Sequence, residues 1–505
     1  VTETPKTLLR RIYDEDFGFI PTNSSMKPVH VANGTARRLL ETQSDFRPLA
    51  RVLRQYVKDQ RRSFSEERNP NEEILADYGD CFTDQFGNQP TDEVMTRFRS
   101  LAKDTLGADD AVFPSQASFT LSHAKMVTGD ISDNGCGDFL ARLLTAGIPR
   151  NAGTAANLLR RLLESETDPW TMIALPLLEY CSEQSAALGA GATVRFERGT
   201  ALLRTDDKGN FCSPTLRVLR DRVDQLARYE ETQSSKLTTL RRLVLFGVFA
   251  THVHMIRRCN DVIPAGPQPP ILLDLFDGRR RSLRDASAAT LQAGFRAIEQ
   301  LVVSRIRAYV TSVCGEDPDS YVGTLPSDGQ WDAVKAEYRA HLVEDDPVDA
   351  LVEAFWKVGY SRVGPKEVRG LPWNTLLALG RRAGYLLPYD NRGRGGREHK
   401  RYGANAEFAE LLVVSTVTPD ETVDFDRFLD RLRDSFGIVL GRPIDFDIIR
   451  HNDLQPGPFL RRSISVNETD LRANLHAFRE LIIDIGFAKS YADGRTIVTT
   501  DWTTV

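Results

Sequence analysis

Along most of this chain apolar residues recur at intervals of three and four, the spacing that lines up one face of an α-helix. Residues 48–64 carry Leu49, Val52, Leu53, Tyr56 and Val57 in that register, and 93–107 repeat it. The segments 136–148, 153–166 and 170–188 follow as short helices with short connections, the rhythm of a bundle or helical-repeat layer. Longer periodic stretches cover 216–233, 236–259 and 284–314. Toward the carboxyl end, 346–361, 372–385, 405–417, 424–436 and 468–485 read as further helices.

The interruptions are as informative as the helices. An acid-rich stretch at 69–93 reads as a loop, and the Pro-rich run VIPAGPQPP ends the helix that reaches Asn260. Residues 191–213 alternate apolar and polar positions around a DDKGN turn, which predicts a β-hairpin set among helices. The Gly- and Asp-rich segment 315–330 is the best linker candidate. The expected fold is mainly α with small β-hairpins (α+β), a helical N-terminal and central body followed by winged-helix-like modules. Its divisions fall at 1–130 (mixed, mainly helical), 131–314 (helical, with the hairpin), 315–346 (linker and connecting helix), 347–418 (winged-helix-like with a basic wing) and 419–505 (a second such unit).

One segment carries a functional signal. In LPWNTLLALGRRAGYLLPYDNRGRGGREHKRY, residues 371–402, a short helix closes on Gly384-Tyr385 and feeds a hairpin whose tip and return strand hold Arg392, Arg394, Arg397, His399, Lys400 and Arg401. Such a row of cations suits a phosphate backbone, because each one that neutralises a phosphate releases condensed counterions. Arg381 and Arg382 at the end of the preceding helix extend the set, and in a helix-turn-helix derivative that helix is the one offered to the major groove. Glycines 393, 395 and 396 let the tip take backbone shapes closed to other residues. Protein docking and a solvated Arg/Gly loop are the competing readings, and RGRGGR also has the look of RNA-binding RGG sequence. The second helix-Gly-aromatic-hairpin unit has only Lys489 and Arg495 beside Asp493, which suits a structural or protein-binding wing.

Composition narrows the partner. With 65 basic against 70 acidic residues the formal charge is −5, so nucleic-acid contact must be local and not a property of the whole surface. A chain of 505 residues, 41% hydrophobic and 27% charged, belongs to the globular class and is long enough for several domains. The six cysteines lie at least 31 residues apart, without zinc-knuckle or dithiol spacing, and read as free thiols in a reducing cytoplasm. The amino terminus lacks the apolar core of a signal peptide. The longest apolar run, Leu243–Ile256, is 14 residues, short of the roughly 20 that span a bilayer. A cytoplasmic chain with no membrane contact is expected.

Catalytic signatures are weak. His252 and His254, two positions apart on a helix, point about 200° from each other and cannot share a metal. No phosphate-binding GxxxxGK[ST] loop, HExxH or GxSxG is present. Asp274 and Asp277 could belong to a divergent metal-dependent nuclease, but they read better as turn caps paired with Arg279–Arg281, a second basic run. Asp130, Asp133 and Asp138 lack the spacing of a calcium loop and read as a helix-capping loop. No cofactor is expected. The helix-Gly-Tyr plus basic-hairpin architecture of the last 150 or so residues resembles winged-helix-containing accessory subunits of prokaryotic phage-defence or DNA-transaction systems. That resemblance implies a non-enzymatic adaptor or scaffold in a multi-protein bacterial complex, with double-stranded DNA and other subunits as partners. The alternatives are an assembly subunit without nucleic acid and the nuclease.

Overall fold

The computed structural model describes residues 3–41, 56, 69–83, 87–106, 123, 124, 127, 131–147, 153–165, 202–233, 235–263, 268–315, 317–343, 346–360, 371–388, 400–451 and 467–501. Among them are seventeen α-helices and seven short strands, so the fold is mainly helical, as the periodicity predicts. The helices expected over 48–64 and 170–188, and the first half of the 191–213 hairpin, lie outside the described residues.

The first half of the chain contributes α1 (Pro5–Asp16), α2 (Pro28–Leu40), α3 (Pro70–Tyr78), α4 (Asp92–Leu106), α5 (Cys136–Thr145), α6 (Thr154–Glu164), α7 (Pro214–Glu230) and α8 (Lys236–Val262). Strand β1 (Ile271–Leu272) precedes the longest helix, α9 (Arg281–Cys314), followed by α10 (Pro318–Thr324), α11 (Gly329–His341), α12 (Pro347–Tyr360) and α13 (Asn374–Arg382). Then come β2 (Leu386–Leu387), β3 (Arg401–Tyr402), α14 (Ala406–Val414), β4 (Thr422–Asp424), α15 (Phe425–Phe436), β5 (Ile438–Val439), α16 (Pro443–His451), α17 (Glu468–Asp484), β6 (Ala488–Ser490) and β7 (Thr496–Thr499).

Four of these helices begin with a polar residue followed by proline. Thr4, Asn69, Ser213 and Asp317 each accept a hydrogen bond from a backbone N–H of the first turn, and Pro5, Pro70, Pro214 and Pro318 occupy the first helical position, where no N–H is needed. Two departures from the sequence reading have this cause. The stretch read as an acid-rich loop contains α3, and the segment read as linker contains α10, with Val322 and Leu325 buried. Between α5 and α7, the DDKGN turn forms as expected: Thr205 pairs antiparallel with Phe211, and Asp206 N donates to Asn210 O at 2.8 Å.

Helices α8 and α9 pack on each other. From Val248 to Arg257 every residue of α8 is buried, so the apolar run is an internal helix. None of the helices among the described residues is long and apolar enough to cross a membrane. One large apolar cluster among the described residues runs from Leu8 to Val498, joining both halves of the chain, with a smaller one around Leu272, Leu283 and Val439. Arginines tie the helix ends into it. Arg257, buried, donates to the carbonyls of Arg433, Asp434 and Ser435 at 3.3, 3.4 and 3.0 Å, closing the C-terminus of α15. Arg220 does the same for α5, reaching Leu143 O at 2.9 Å and Ala146 O at 2.6 Å. The carbonyls of a helix's last turn carry the negative end of its dipole, which favours a cation there. Burial pulls both guanidinium pKa values down to about 10.

The short strands form a ribbon through this helical body. β5 pairs parallel with β1, Asp274 just beyond β1 bridges in parallel to Gly403, and β3 pairs antiparallel with β2. Asn474 of α17, wholly buried, pins the ribbon. Its amide donates to Leu273 O and Leu440 O at 2.8 and 2.9 Å and accepts from Leu275 N at 3.0 Å. A separate three-stranded antiparallel sheet, in the order β4-β7-β6, ends the fold.

Candidate nucleic-acid interface

The candidate hairpin begins where α13 stops. Gly384 has φ +82°, and a Cβ there would stand 2.7 Å from Asn405 Nδ2, so this turn requires glycine. Tyr385 N donates back to Gly380 O at 3.2 Å, and the chain enters β2 with Leu386 opposite Tyr402 and Leu387 opposite Arg401. The hairpin stem therefore exists as expected. Its tip, with Arg392, Arg394, Arg397 and His399, lies outside the described residues.

Among the remaining candidate cations, Arg401, Lys400 and Arg382 have partners within the chain. Arg401 is 4% exposed, and its guanidinium meets Asp274 Oδ2 at 2.8 Å through Nε and Asp277 Oδ1 at 2.9 Å through Nη2. Lys400 is likewise buried and donates through Nζ to Pro388 O across the stem. Arg382 donates to Ala378 O at 3.0 Å and Met26 O at 3.3 Å. Arg381, half-buried, stands beside it. Helix α13 presents no exposed residue from Asn374 to Arg382, and it is held by Thr375 N donating to Pro21 O at 3.0 Å and, just before it, by Trp373 stacked on Phe295. Helix α13 is therefore half-buried at Asn374, Leu377, Arg381 and Arg382 and buried at its other positions. The reason is packing: its Leu, Ala and Gly positions complete the core around α8.

Asp274 is the other half of the stem's anchor. Only 1% exposed, its carboxylate accepts from Phe276 N at 2.9 Å and Gly278 N at 2.7 Å as well as from Arg401. The turn-capping role expected of it holds, but its cation is Arg401 and not the 279–281 run. Within that run, Arg280 pairs with Asp470 at 2.8 Å and Arg281 with Asp285 at 3.6 Å. Arg279, exposed, donates to Phe276 O at 3.0 Å. The fold nonetheless brings the two basic regions side by side: a Cβ on Gly278 would stand 2.9 Å from Arg401 Nη2.

On the inner side of the stem, Tyr402 OH lies 2.7 Å from His252 Nε2, and Ser287 Oγ lies 3.0 Å from Tyr402 O. His252 and His254 are both buried and apart, His254 stacking on Phe139 at 4.8 Å. Burial depresses both imidazoles to about 3, with the Arg258 charge adding to the shift of His254. Asp133 caps α5 through Gly137 N at 2.8 Å, the capping role read for that loop. Among the described residues no three His, Cys, Asp or Glu side chains are grouped to hold a metal ion. The second hairpin lies beside α17, whose exposed positions include Glu468, Arg472, His476, Glu480 and Asp484, with Glu468 and Arg472 paired at 2.6 Å. That face is acidic on balance.

Comparison with protein-family models, curated proteins and solved structures finds no match. The residues that anchor the stem, Asp274, His252 and Ser287, were not legible as a set in the sequence, since they stand 115 to 150 residues from their partners. The DLFDG turn at 274–278 was the only local signal for any of them.

Proposed function

We propose that this chain is a non-enzymatic adaptor or scaffold subunit of a prokaryotic multi-protein complex, of the phage-defence or DNA-transaction kind. The tip of its 386–402 hairpin holds the phosphate backbone of double-stranded DNA, and its helical body holds protein partners. The observation that carries this reading is the anchored stem. Buried Arg401 and Tyr402 fix the hairpin stem to the ribbon and to α8, and the sequence between its two strands holds Arg392, Arg394, Arg397 and His399. A rigid base lowers the entropy lost when a cationic tip is immobilised on a ligand. The enclosure of α13 favours backbone holding over reading of bases. In winged-helix terms both C-terminal units keep the helix-then-hairpin order, and the last strand, β7, is central in its sheet. The third strand of that sheet, β4, precedes α15 where a winged helix draws it from between helices.

The test is binding of a labelled 30-base-pair duplex at low salt, followed by anisotropy. The wild-type chain is expected to bind, and Arg392→Ala/Arg394→Ala/Arg397→Ala to bind at least tenfold more weakly at unchanged thermal stability. Absence of wild-type binding overturns the reading. A second reading, an assembly subunit without nucleic acid, is favoured by the acidic face of α17 and by the internal pairing of Arg280, Arg281 and Arg401. A nuclease-resistant complex with partner subunits, indifferent to the triple substitution, supports it. The nuclease alternative is disfavoured because Asp274 is sealed under Arg401.

A further inference from the structure

His252 occupies a particular position. Its ring stands edge-on to Tyr385, which leads into β2, at 5.3 Å between centroids, and edge-on to Tyr402 of β3 at 5.4 Å. One side chain of α8 thus touches both legs of the hairpin, and among the described residues its one side-chain hydrogen bond joins Nε2 and the Tyr402 hydroxyl at 2.7 Å. Nδ1 is buried with no hydrogen-bond partner among the described residues. A neutral imidazole fits this site, with one nitrogen engaged. An imidazolium would place an N–H at Nδ1 with no acceptor, in an apolar surrounding, which is a costly burial of charge.

The neighbours offer no compensation. Among the described residues, Tyr385 and Tyr402 are the titratable groups facing the ring, and burial pushes both hydroxyls well above the ordinary tyrosine range, so both stay neutral. From α5, Cys136 lies near Tyr385, its thiol also pushed up by burial. Helix α9 presents Gly294 toward the Tyr402 hydroxyl, and α14 presents Phe408 against Tyr385, neither of them titratable. On α8 itself, Phe249 packs on Tyr385, and His254 faces Phe139 of α5 instead. Outside this pocket the stem has a second anchor, the ion pair of Arg401 with Asp274 at 2.8 Å.

We infer that His252 is an acid-sensitive latch on the hairpin: when the stem lifts from α8 the imidazole can take up a proton, so mild acid favours release of the stem. The coupling follows from linkage. A histidine of ordinary pKa 6.5 in the lifted state and about 3 in the closed state makes lifting about 30-fold more favourable at pH 5 than at high pH. The inference concerns how the hairpin is held and does not require that its tip bind DNA.

Hydrogen exchange of the full chain, corrected for intrinsic rates, tests it without any nucleic acid. Amides of 385–387 and 401–403 are expected to lose protection about 20- to 30-fold between pH 7.5 and 5, the effect of one histidine, while amides of α9 beyond Leu291, which exchange through global opening, lose more because His254 titrates there too. His252→Gln, which keeps a partner for Tyr402 and cannot titrate, is expected to abolish the stem's loss. Tyr402→Phe keeps the histidine, so it should open the stem more at pH 7.5 and retain the acid dependence. Equal loss across stem and core in the wild type, or the same stem loss in His252→Gln, overturns the latch. If His252→Gln does not fold, the stem-against-core comparison in wild type and Tyr402→Phe decides.

Discussion

Replacing Arg401 by methionine separates an anchoring role from a nucleic-acid contact. Methionine keeps most of the apolar stem of the side chain and removes the guanidinium, which leaves Asp274, 1% exposed, with two backbone N–H donors and no cation. Breaking a buried pair from one side costs about 3–5 kcal/mol, because the stranded charge keeps its desolvation penalty. Asp277 should matter far less, since its side chain is 75% exposed and its pairing is screened by water; Asp277→Asn is expected to cost under about 1 kcal/mol. Adding Asp274→Asn to Arg401→Met neutralises the stranded charge and should recover part of the loss, giving a coupling energy of about 2 kcal/mol or more. The assay is urea unfolding followed by circular dichroism, with duplex binding measured under conditions where each variant stays folded. The expected result is a large stability loss for Arg401→Met, with duplex affinity lowered severalfold at most through the loosened stem and its salt dependence unchanged. A stability change below about 1 kcal/mol together with a tenfold loss of affinity would refute the reasoning, since it is the signature of an exposed phosphate contact.

Asn474→Ala leaves Leu273 O, Leu440 O and Leu275 N without their buried partner, and should destabilise the chain by about 3–5 kcal/mol in the same urea assay. Asn69→Ala removes the side-chain acceptor at the start of α3 and is expected to cost about 1 kcal/mol, read as loss of protection in 71–74 by hydrogen exchange. Acid should weaken the fold through its buried histidines. Because His252 and His254 titrate at about 3 when folded and near 6.5 when unfolded, the unfolded chain binds more protons in between; their contribution is complete above pH 6.5 and is lost as pH falls toward 3. From pH 7 to 5 each contributes a loss of about 2 kcal/mol, so urea midpoints should drop steeply, and a flat profile over that range would contradict their neutral burial.

Much of the secondary structure was legible because helix periodicity is a local signal. The expected helices at 136–148, 216–233, 236–259 and 405–417 all form within a few residues of those bounds. The misses at α3 and α10 share one physical cause: Asn-Pro and Asp-Pro mark turns, yet the same dipeptides supply a cap and a first helical residue. Side-chain roles were harder to read. Arg401 looks like its neighbours in RGRGGREHKRY, and only the fold reveals that it closes on Asp274, 127 positions earlier. The helix carrying Arg381 and Arg382 was correctly read as a helix, but its enclosure depends on Pro21 and Met26, contacts more than 350 residues apart that no sequence window contains.

The central claim, that the tip of the 386–402 hairpin holds a nucleic-acid backbone, is tested most directly by the salt dependence of duplex binding. Each released phosphate contact contributes about 0.9 to the slope of log K against log salt. The account predicts a steep slope for the wild-type chain that falls by about three when Arg392, Arg394 and Arg397 all become alanine, with the slope of Arg401→Met unchanged. A wild-type slope near zero, or one that the triple substitution leaves intact, would contradict it.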